Sequence, residues 1–342
     1  MPSEPKMRGD GEFSLIARLA ERLRRASAAA GAEVRVGIGD DAAVTVPRGA
    51  TVTSTDLLIE GVHFRRETAP PAAIGRKALA AALSDLAAMG AAAGEAYVAV
   101  GIPDELSEDD CVALYDGVAG LASDSGTAVL GGDVSRSPVL LLAVTVVGHA
   151  PGGSDPVTRA GAAPDHVLAV TGELGGAAAG LLLLERPELE SSVVPDIAAA
   201  LRRRQLEPVP RLEAGAALAA AGASAMIDLS DGIGADAGQI AAASGVRVSI
   251  ELDRLPVEPG VADVAAAAEL DVVELTAAGG EDYELLAAIP ADRLADAQSA
   301  VSAVGGRLTA IGRTAAGQGV ELRDPEGALR RPHGFDHLRD RR

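Results

Sequence analysis

The sequence predicts an α+β protein built from two domains. Apolar strand-like runs alternate with helical stretches, but several strands follow one another directly, which favours α+β or mixed α/β organisation over a doubly wound sheet. The chain has 342 residues, enough for two domains with separate cores. The segment PGGSDP at 151–156 is a strong turn signal, so we place the domain boundary there and predict domains at 1–150 and 151–342.

The elements of the first half follow from hydrophobic periodicity. Helical spacing with a polar face marks the first helix, an Ala-rich run marks the second, and β-branched apolar runs mark the strands. The predicted helices are 13–30, 72–91 and 107–124, and the predicted strands are 51–56, 95–102, 127–133 and 139–150.

The second half is interpreted in the same way. Its predicted strands are 166–173, a strand entering a turn at 224–232, 246–253, 281–289, 307–314 and 320–324. Helices are predicted at 175–186, around the arginines 202–204, at 211–222 and from the turn near 232 to Ala243. The cluster Arg202–Arg204 is interpreted as a solvated helix face.

Composition restricts the classes of function. Hydrophobic residues make up 48% of the chain, so disorder is not expected. The net charge of −19 makes nucleic acid and anionic membrane poor partners. Cys111 is the single cysteine, so no intramolecular disulfide can form, and we expect a buried structural thiol. With no apolar signal segment or membrane-length run, a cytoplasmic protein is predicted.

Aspartates are the most informative residues of the chain. Most of them end a strand-like run or enter a Gly-rich turn: Asp40, Asp41, Asp56, Asp85, Asp133, Asp228 and Asp231. Gathered carboxylates repel each other unless cations neutralise them, and Mg²⁺ prefers such oxygen ligands and binds phosphates. The pattern indicates a multi-metal, phosphate-handling enzyme. For any single aspartate, the alternative is a structural role as a helix N-cap or a turn residue.

Other motifs narrow the mechanism. Gly-rich turns such as GIGDD, LGGD and TGELGG could bring backbone amides to a phosphate, although each alone is a weak signal. Lys6 and Lys77 are the only lysines, and neither belongs to a Walker A motif, so ATP would bind through metal-bridged phosphates. The five histidines show no zinc spacing, and only His63 lies near the carboxylate motifs.

These motifs together resemble the thiamine-monophosphate kinase family. The resemblance rests on GEFSLIARL, GIGDDAAV, STDLLIEGVHF, KALAAALSDLAAMGA, LGGD, VTRAGAAPDHVLAVTG, IDLSDGIGAD, GGEDYELL and GFDH, in the family's order over almost the whole chain. The family belongs to a wider group with aminoimidazole ribotide synthetase and selenophosphate synthetase, which bind ATP without a P-loop.

The resemblance implies a fold and a reaction. The fold would be the two-domain aminoimidazole ribotide synthetase-like α+β fold, with an N-terminal mixed sheet that pairs across a homodimer into a barrel, and a C-terminal α/β domain. ATP and several Mg²⁺ ions would convert thiamine monophosphate to thiamine diphosphate. The N-terminal domain would bind ATP and Mg²⁺, and the C-terminal domain would add metal, ATP and substrate residues.

The resemblance also implies site residues. The implied metal ligands are Asp41, Ser54, Thr55, Asp56, Asp85, Asp133, Asp228 and Asp231. The implied ATP contacts are Tyr115, Gly132, Asp133, Arg159 and Ser230, and the implied substrate contacts are His63, Glu281 and Phe335. Within these sets, the implied catalytic residues are Asp133, Asp231 and Arg159.

The chemistry agrees with this interpretation. The acceptor would be a phosphate monoester with a second pKa of about 6, already a nucleophile at neutral pH, so no general base is needed. Direct in-line transfer is therefore predicted. Two alternatives stay open: another ATP-dependent enzyme of the wider group, and a non-catalytic metal- or nucleotide-binding protein. Selenophosphate synthetase would be expected to carry Cys and Lys in the N-terminal Gly-rich segment, which has neither here.

Overall fold

Residues 12–24, 32–38, 40, 42–47, 49–150 and 155–330 are described by a computed structural model. The chain divides into two compact units. The N-terminal unit is Met1–Leu86 with Ala91–Asp155, and the C-terminal unit is Ala87–Gly90 with Pro156–Arg342. Within the described ranges, no helix is both long and apolar enough to cross a membrane.

Helices and a mixed sheet make up the N-terminal unit. Its elements are α1 (Glu12–Arg24), β1 (Ala32–Val36), β2 (Val44–Pro47), β3 (Thr51–Ile59), α2 (Pro71–Ala88), β4 (Ala92–Ile102), α3 (Glu108–Ser125), β5 (Ala128–Arg136) and β6 (Leu141–His149). β1 and β2 pair as a separate antiparallel ribbon. The main sheet has the order β3-β6-β4-β5, antiparallel except for the parallel pair of β4 and β5.

The helices α2 and α3 pack backbone against backbone. A Cβ atom at Gly75 would lie 1.9 Å from the carbonyl oxygen of Leu114, and one at Gly117 would lie 1.8 Å from that of Ala72. Only glycine therefore fits at either crossing. Cys111 is buried on the inner side of α3, as the sequence predicted.

Alternation along the edge strand β3 gives the two sheet faces different characters. Val52 and Leu58 are buried, whereas Thr55 and Leu57 point to the other face and are exposed. β6 repeats the pattern, with Val144 buried beside Asp56 in the register. One face of this sheet is thus an interior face, and the other is a partly apolar open face.

A seven-stranded mixed sheet organises the C-terminal unit. Its strands are β7 (Val167–Thr171), β8 (Ala225–Asp228), β9 (Arg247–Glu251), β10 (Leu285–Ile289), β11 (Leu308–Ala315), β12 (Gly319–Arg323) and β13 (Leu329–Arg330), in the order β13-β12-β9-β11-β7-β10-β8. Its helices are α4 (Gly176–Glu185), α5 (Pro195–Leu206), α6 (Leu212–Ala220), α7 (Ile233–Ser244), α8 (Val261–Ala267), α9 (Val272–Thr276) and α10 (Leu294–Ala303). Every residue of β7 and β10 is buried, which is typical of central strands.

Most predicted elements are present, and three differences are informative. The β1–β2 ribbon, the strand β13 and the helices α8, α9 and α10 were not predicted. The helix predicted at 13–30 is α1, which ends at Arg24, and residues 25–31 lie outside the described ranges. The strand predicted from 281 is wrong over its first four residues, because β10 begins at Leu285. Glu281 and Tyr283 instead have positive φ angles of 67° and 50°.

Candidate active site

The N-terminal unit brings Ser54, Asp56 and Asp85 together. Ser54 and Asp56 are on the interior side of β3, and the Ser54 hydroxyl donates a hydrogen bond to Asp85 Oδ2 on α2. Burial, and secondly the negative charge of Asp85, raise the pKa of Asp56 to about 6. The negative charge of a neighbouring carboxylate disfavours ionisation in this way. The group is rich in the oxygen atoms that suit Mg²⁺.

Thr55 does not join this group. Strand alternation places it on the open face, where its hydroxyl is 2.9 Å from that of Thr145. Its predicted role as a metal ligand stays a prediction.

The pairing of β5 with β4 positions three predicted ATP residues. Gly132 and Asp133 are on β5, and Tyr115 of α3 contacts Val98 of β4. A Cβ atom at Gly132 would lie 1.9 Å from the carbonyl oxygen of Val98, so this close approach requires glycine. The buried Tyr115 hydroxyl donates to the same oxygen at 3.5 Å, and burial raises the pKa of Tyr115. Asp133 is exposed, and Oδ2 accepts a hydrogen bond of 3.1 Å from the Ser135 hydroxyl.

His63 is oriented by the loop that follows β3. The amide of Ile59 donates to His63 Nδ1 at 3.1 Å, so the proton of the neutral ring is on Nε2. Lys77, only 3% exposed, donates to the His63 carbonyl oxygen at 3.4 Å. The loop backbone and the ring of this predicted substrate residue are therefore both held from within the N-terminal unit.

The C-terminal unit gathers Asp228, Asp231 and an unpredicted third aspartate, Asp236. Asp228 ends β8, and Asp231 lies in the turn before α7. Asp236 Oδ2 accepts from the amides of Ser230 and Asp231, both at 3.1 Å. Burial, then the charge of Asp231 and more weakly that of Asp228, raise the pKa of Asp236 to about 8. The motif IDLSDGIGAD contained Asp236, but helical periodicity did not show that this side chain turns back to the loop.

A second loop, 279–284, packs along this turn. The amide of Glu281 donates to the Ser230 carbonyl at 2.9 Å, and that of Tyr283 donates to the Leu229 carbonyl at 2.9 Å. A Cβ atom at Gly280 would lie 2.3 Å from the Ser230 oxygen, which explains the glycine. The C-terminal unit thus places predicted substrate, ATP and metal residues (Glu281, Ser230 and Asp231) side by side.

Two buried carboxylates, Asp282 and Glu284, support this loop, and no local sequence pattern identifies them. Asp282 accepts from the amides of Gly175 at 2.7 Å and Ala177 at 3.1 Å, at the N-terminus of α4. Burial raises the pKa of Asp282 to about 7 even though Arg204 and these amides lower it. Glu284 has no exposed surface and pairs with Arg204 and Arg211.

Arg204 corrects the interpretation of the arginine cluster. Arg203 is exposed and Arg202 pairs with Glu190, but Arg204 is mostly buried. It donates to Glu284 Oε1 at 3.1 Å and to the Glu173 carbonyl at 3.1 Å. A buried carboxylate needs a paired charge, so the last turn of α5 directs Arg204 inward. A solvated helix face is therefore wrong for this residue.

The remaining candidate site residues are Arg159, Asp40, Asp41 and Phe335. Arg159 is exposed, and its carbonyl oxygen accepts from the Ser244 hydroxyl at 3.0 Å. Asp40 is also exposed. Asp41 and Phe335 lie outside the described residues.

The described part of the chain holds no preassembled metal cage. Among the described residues, no three His, Cys, Asp or Glu side chains are arranged to hold a metal ion by themselves. In the C-terminal group, Asp236 directs an oxygen to backbone amides instead of outward. The two clusters of carboxylates, Asp56 with Asp85 and Asp228 with Asp231, each offer few protein ligands. This suits Mg²⁺, which keeps several bound waters and is also coordinated by substrate phosphates.

Matches to two protein-family models show the class of protein to which the chain belongs. Residues 39–150 match the family described as AIR synthase related protein, N-terminal domain, and residues 163–325 match AIR synthase related protein, C-terminal domain. The predicted two-domain fold class is confirmed by this result and by the structural neighbours described next.

The chain is similar to kinases of one family within this class. Thiamine-monophosphate kinase of Mycobacterium tuberculosis (strain CDC 1551 / Oshkosh) is 41% identical over 285 residues, covering 83% of this chain and 82% of its own length. The crystal structure of thiamine-monophosphate kinase from Stenotrophomonas maltophilia K279a has 35% identity and a TM-score of 0.80, covering 94% of this chain and 98% of that one. AaThiL complexed with AMPPCP and TMP has 30% identity and a TM-score of 0.75, covering 96% and 97%. The chain belongs to the thiamine-monophosphate kinase family.

Proposed function

We propose that this protein transfers the γ-phosphoryl group of ATP to thiamine monophosphate and forms thiamine diphosphate. The observation that carries the proposal is the gathering of carboxylates in two clusters. One is Asp56 with Asp85, and the other is Asp228 with Asp231 and Asp236; the pKa values of Asp56 and Asp236 are raised. Such groups suit cations that bind phosphates. The family relationship and the relative complexed with AMPPCP, an ATP analogue, and TMP support the same reaction.

Mg²⁺ is the metal that the donor set fits. The residues that would hold it are Asp41, Ser54, Thr55, Asp56, Asp85, Asp133, Asp228 and Asp231. When bound, Mg²⁺ neutralises phosphate charge that would otherwise repel the acceptor. The side chain of Ser54 already orients one ligand, Asp85, through a hydrogen bond.

No general base is needed for the proposed reaction. The acceptor phosphate is largely ionised above its second pKa of about 6, so its oxygen attacks without giving up a proton. The task of the protein is to align two polyanions, and we assign Arg159, Asp133 and Asp231 to that task. ATP contacts are proposed for Tyr115, Gly132, Asp133, Arg159 and Ser230, and acceptor contacts for His63, Glu281 and Phe335.

Direct transfer predicts a stereochemical outcome. With ATP made chiral at the γ-phosphorus, a single in-line displacement inverts the configuration in thiamine diphosphate. The configuration can be read by phosphorus NMR of the product. Retention would indicate two displacements through a phosphoenzyme.

The test of function is a chromatographic assay with ATP, Mg²⁺ and thiamine monophosphate. Thiamine diphosphate is expected to form, and to be absent when EDTA is added or when plain thiamine replaces the monophosphate. A folded protein that binds ATP and Mg²⁺ without forming this product would instead be a binding protein or an enzyme with another acceptor.

A homodimer is proposed from the open face of the N-terminal sheet. Leu57 is 46% exposed on that face, with half-buried Tyr97, Ala143 and Val147 on the neighbouring strands. A second copy would cover these apolar groups. Sedimentation at micromolar concentration is expected to give twice the 34.2 kDa of one chain. Leu57→Glu should shift the mass to the monomer, whereas Val194→Glu, at a 59% exposed valine of the C-terminal unit, should not.

We propose the cytoplasm as the location, because the proposed reaction consumes ATP. Detection of the protein in the cytoplasmic fraction of its source cells would support this location, and recovery only in a secreted or membrane fraction would contradict it.

A further inference from the structure

The last turn of α5 contacts the side chain of Glu281 as well as the buried carboxylates. Gln205 is only 5% exposed, and its Nε2 donates a 2.7 Å hydrogen bond to Glu281 Oε2. The two residues are 76 positions apart in sequence, so this contact exists only in the folded C-terminal unit. Glu281 itself is half-buried and therefore reachable from solvent.

Backbone and side chain of Glu281 are held by separate groups. The backbone adopts a left-handed conformation, φ 67°, that is unfavourable for a non-glycine residue. Its amide is fixed by the Ser230 carbonyl at 2.9 Å, and the adjacent Asp282 carbonyl accepts from Arg204 at 3.5 Å. The hydrogen bond from Gln205 acts instead on the carboxylate, so it sets the direction of that group.

The chemistry of an amide donor suits a carboxylate that must keep its charge. Arginine or lysine at 205 would neutralise Glu281 and compete with a cationic ligand. The glutamine Nε2 carries no charge, so it aligns the carboxylate and leaves its negative charge available. The same turn already uses Arg204 where neutralisation is needed, at Glu284.

We propose that Gln205 is a positioning residue that orients Glu281 for a cationic or N–H group of the acceptor's thiamine part. The inference rests on the proposed function. Gln205 is expected to affect the affinity for the acceptor, because it orients Glu281, and to leave the affinity for ATP unchanged.

The principal variant is Gln205→Met, which keeps length and helix propensity but removes the donor. The KM for thiamine monophosphate is expected to rise about tenfold, with kcat and the KM for ATP unchanged, because a hydrogen bond to a charged group is lost. In a Glu281→Gln background the same change is expected to add less than about twofold. The matched control is Gln298→Met on α10, since Gln298 donates to the Leu308 carbonyl at 3.3 Å and has no part in the proposed site.

A second variant covers the case in which Gln205→Met fails to fold. Gln205→Glu is isosteric, but its carboxyl can donate to Glu281 only when protonated. The rise in KM is expected to shrink as the pH falls from 8 to 6, relative to the unmodified protein. A rise in KM that stays constant over this pH range would contradict the positioning role.

The outcomes separate this inference from the proposed function. No turnover by the unmodified protein overturns the proposed function, and the positioning role with it. Normal turnover, with an unchanged acceptor KM in Gln205→Met or with an equal effect in the Glu281→Gln background, overturns the positioning role alone.

Discussion

Asp133→Asn is expected to lower kcat for thiamine diphosphate formation by about 100- to 1,000-fold while the protein stays folded. Asp133 is the residue of the N-terminal unit to which we assign both a metal and an ATP role. Asparagine keeps the shape and can still accept the hydrogen bond from Ser135, but it lacks the charge that a Mg²⁺ ligand supplies. The measurement is kcat at saturating ATP, Mg²⁺ and acceptor.

Exposure makes this variant a clean test of chemistry. Asp133 is on the surface of β5, so its replacement should leave the thermal midpoint within a few degrees of the parent value. The control is Asp124→Asn, which removes an exposed carboxylate paired with Arg76 at 3.1 Å in the same unit and should retain full activity. Equal activity in the two variants would remove Asp133 from the metal and catalytic assignments.

Local sequence patterns were sufficient to predict a helix or strand whose conformation is determined by the residues within it. The Ala-rich run at 72–91 became α2, and the β-branched run at 139–150 became β6, because periodicity alone specifies such segments. The aspartates were also found by pattern, but the predicted strand ends at Asp56 and Asp133 are wrong, because β3 and β5 each continue three residues further, whereas Asp228 does end β8. Asp56 with Asp85, and Asp228 with Asp231, belong to the two carboxylate groups that the structure describes.

Tertiary contacts decided what the sequence could not show. Residues 281–284 precede the apolar run of β10 and were predicted as part of that strand, but the amides of Glu281 and Tyr283 bond to the loop after β8, which removes them from the ladder. Asp236 and Glu284 look like ordinary charged residues in sequence, and only the fold reveals that they are buried. Arg204 was misinterpreted for the same reason, since its partner Glu284 is 80 positions away.

Glu284→Ala is expected to be the most destabilising single substitution proposed for the C-terminal unit. Glu284 is fully buried and accepts hydrogen bonds from Thr171 at 2.7 Å, from Arg204 at 3.1 Å, and from Arg211 at 3.0 and 2.6 Å. Its removal leaves two partly buried guanidinium groups without their common carboxylate. Breaking a buried ion pair in this way costs about 3–5 kcal/mol, a large share of a typical total stability of about 5–15 kcal/mol.

Urea unfolding of the apo protein measures this loss. The control is Glu251→Ala, which breaks an ion pair with Arg254 at 2.5 Å between side chains that are 43% and 57% exposed. Such a surface pair contributes at most about 1 kcal/mol. A free energy of unfolding for Glu284→Ala that matches the control would show that solvent reaches the two arginines and that the ion network is not structural.

A combined variant distinguishes lost charge balance from lost packing. Glu284→Leu together with Arg204→Met and Arg211→Met removes all three charges and fills a similar volume with apolar atoms. Because a buried ion network is expensive to desolvate, replacing Glu284 with both of its arginine partners is expected to recover part of the stability lost in Glu284→Ala, although Glu258, which pairs with Arg204 at 3.5 Å, keeps its charge. The same variant is expected to bind thiamine monophosphate poorly, since Arg204 also anchors the carbonyl of Asp282 beside Glu281. Recovered stability with weakened binding would show that these charges are retained to shape the loop.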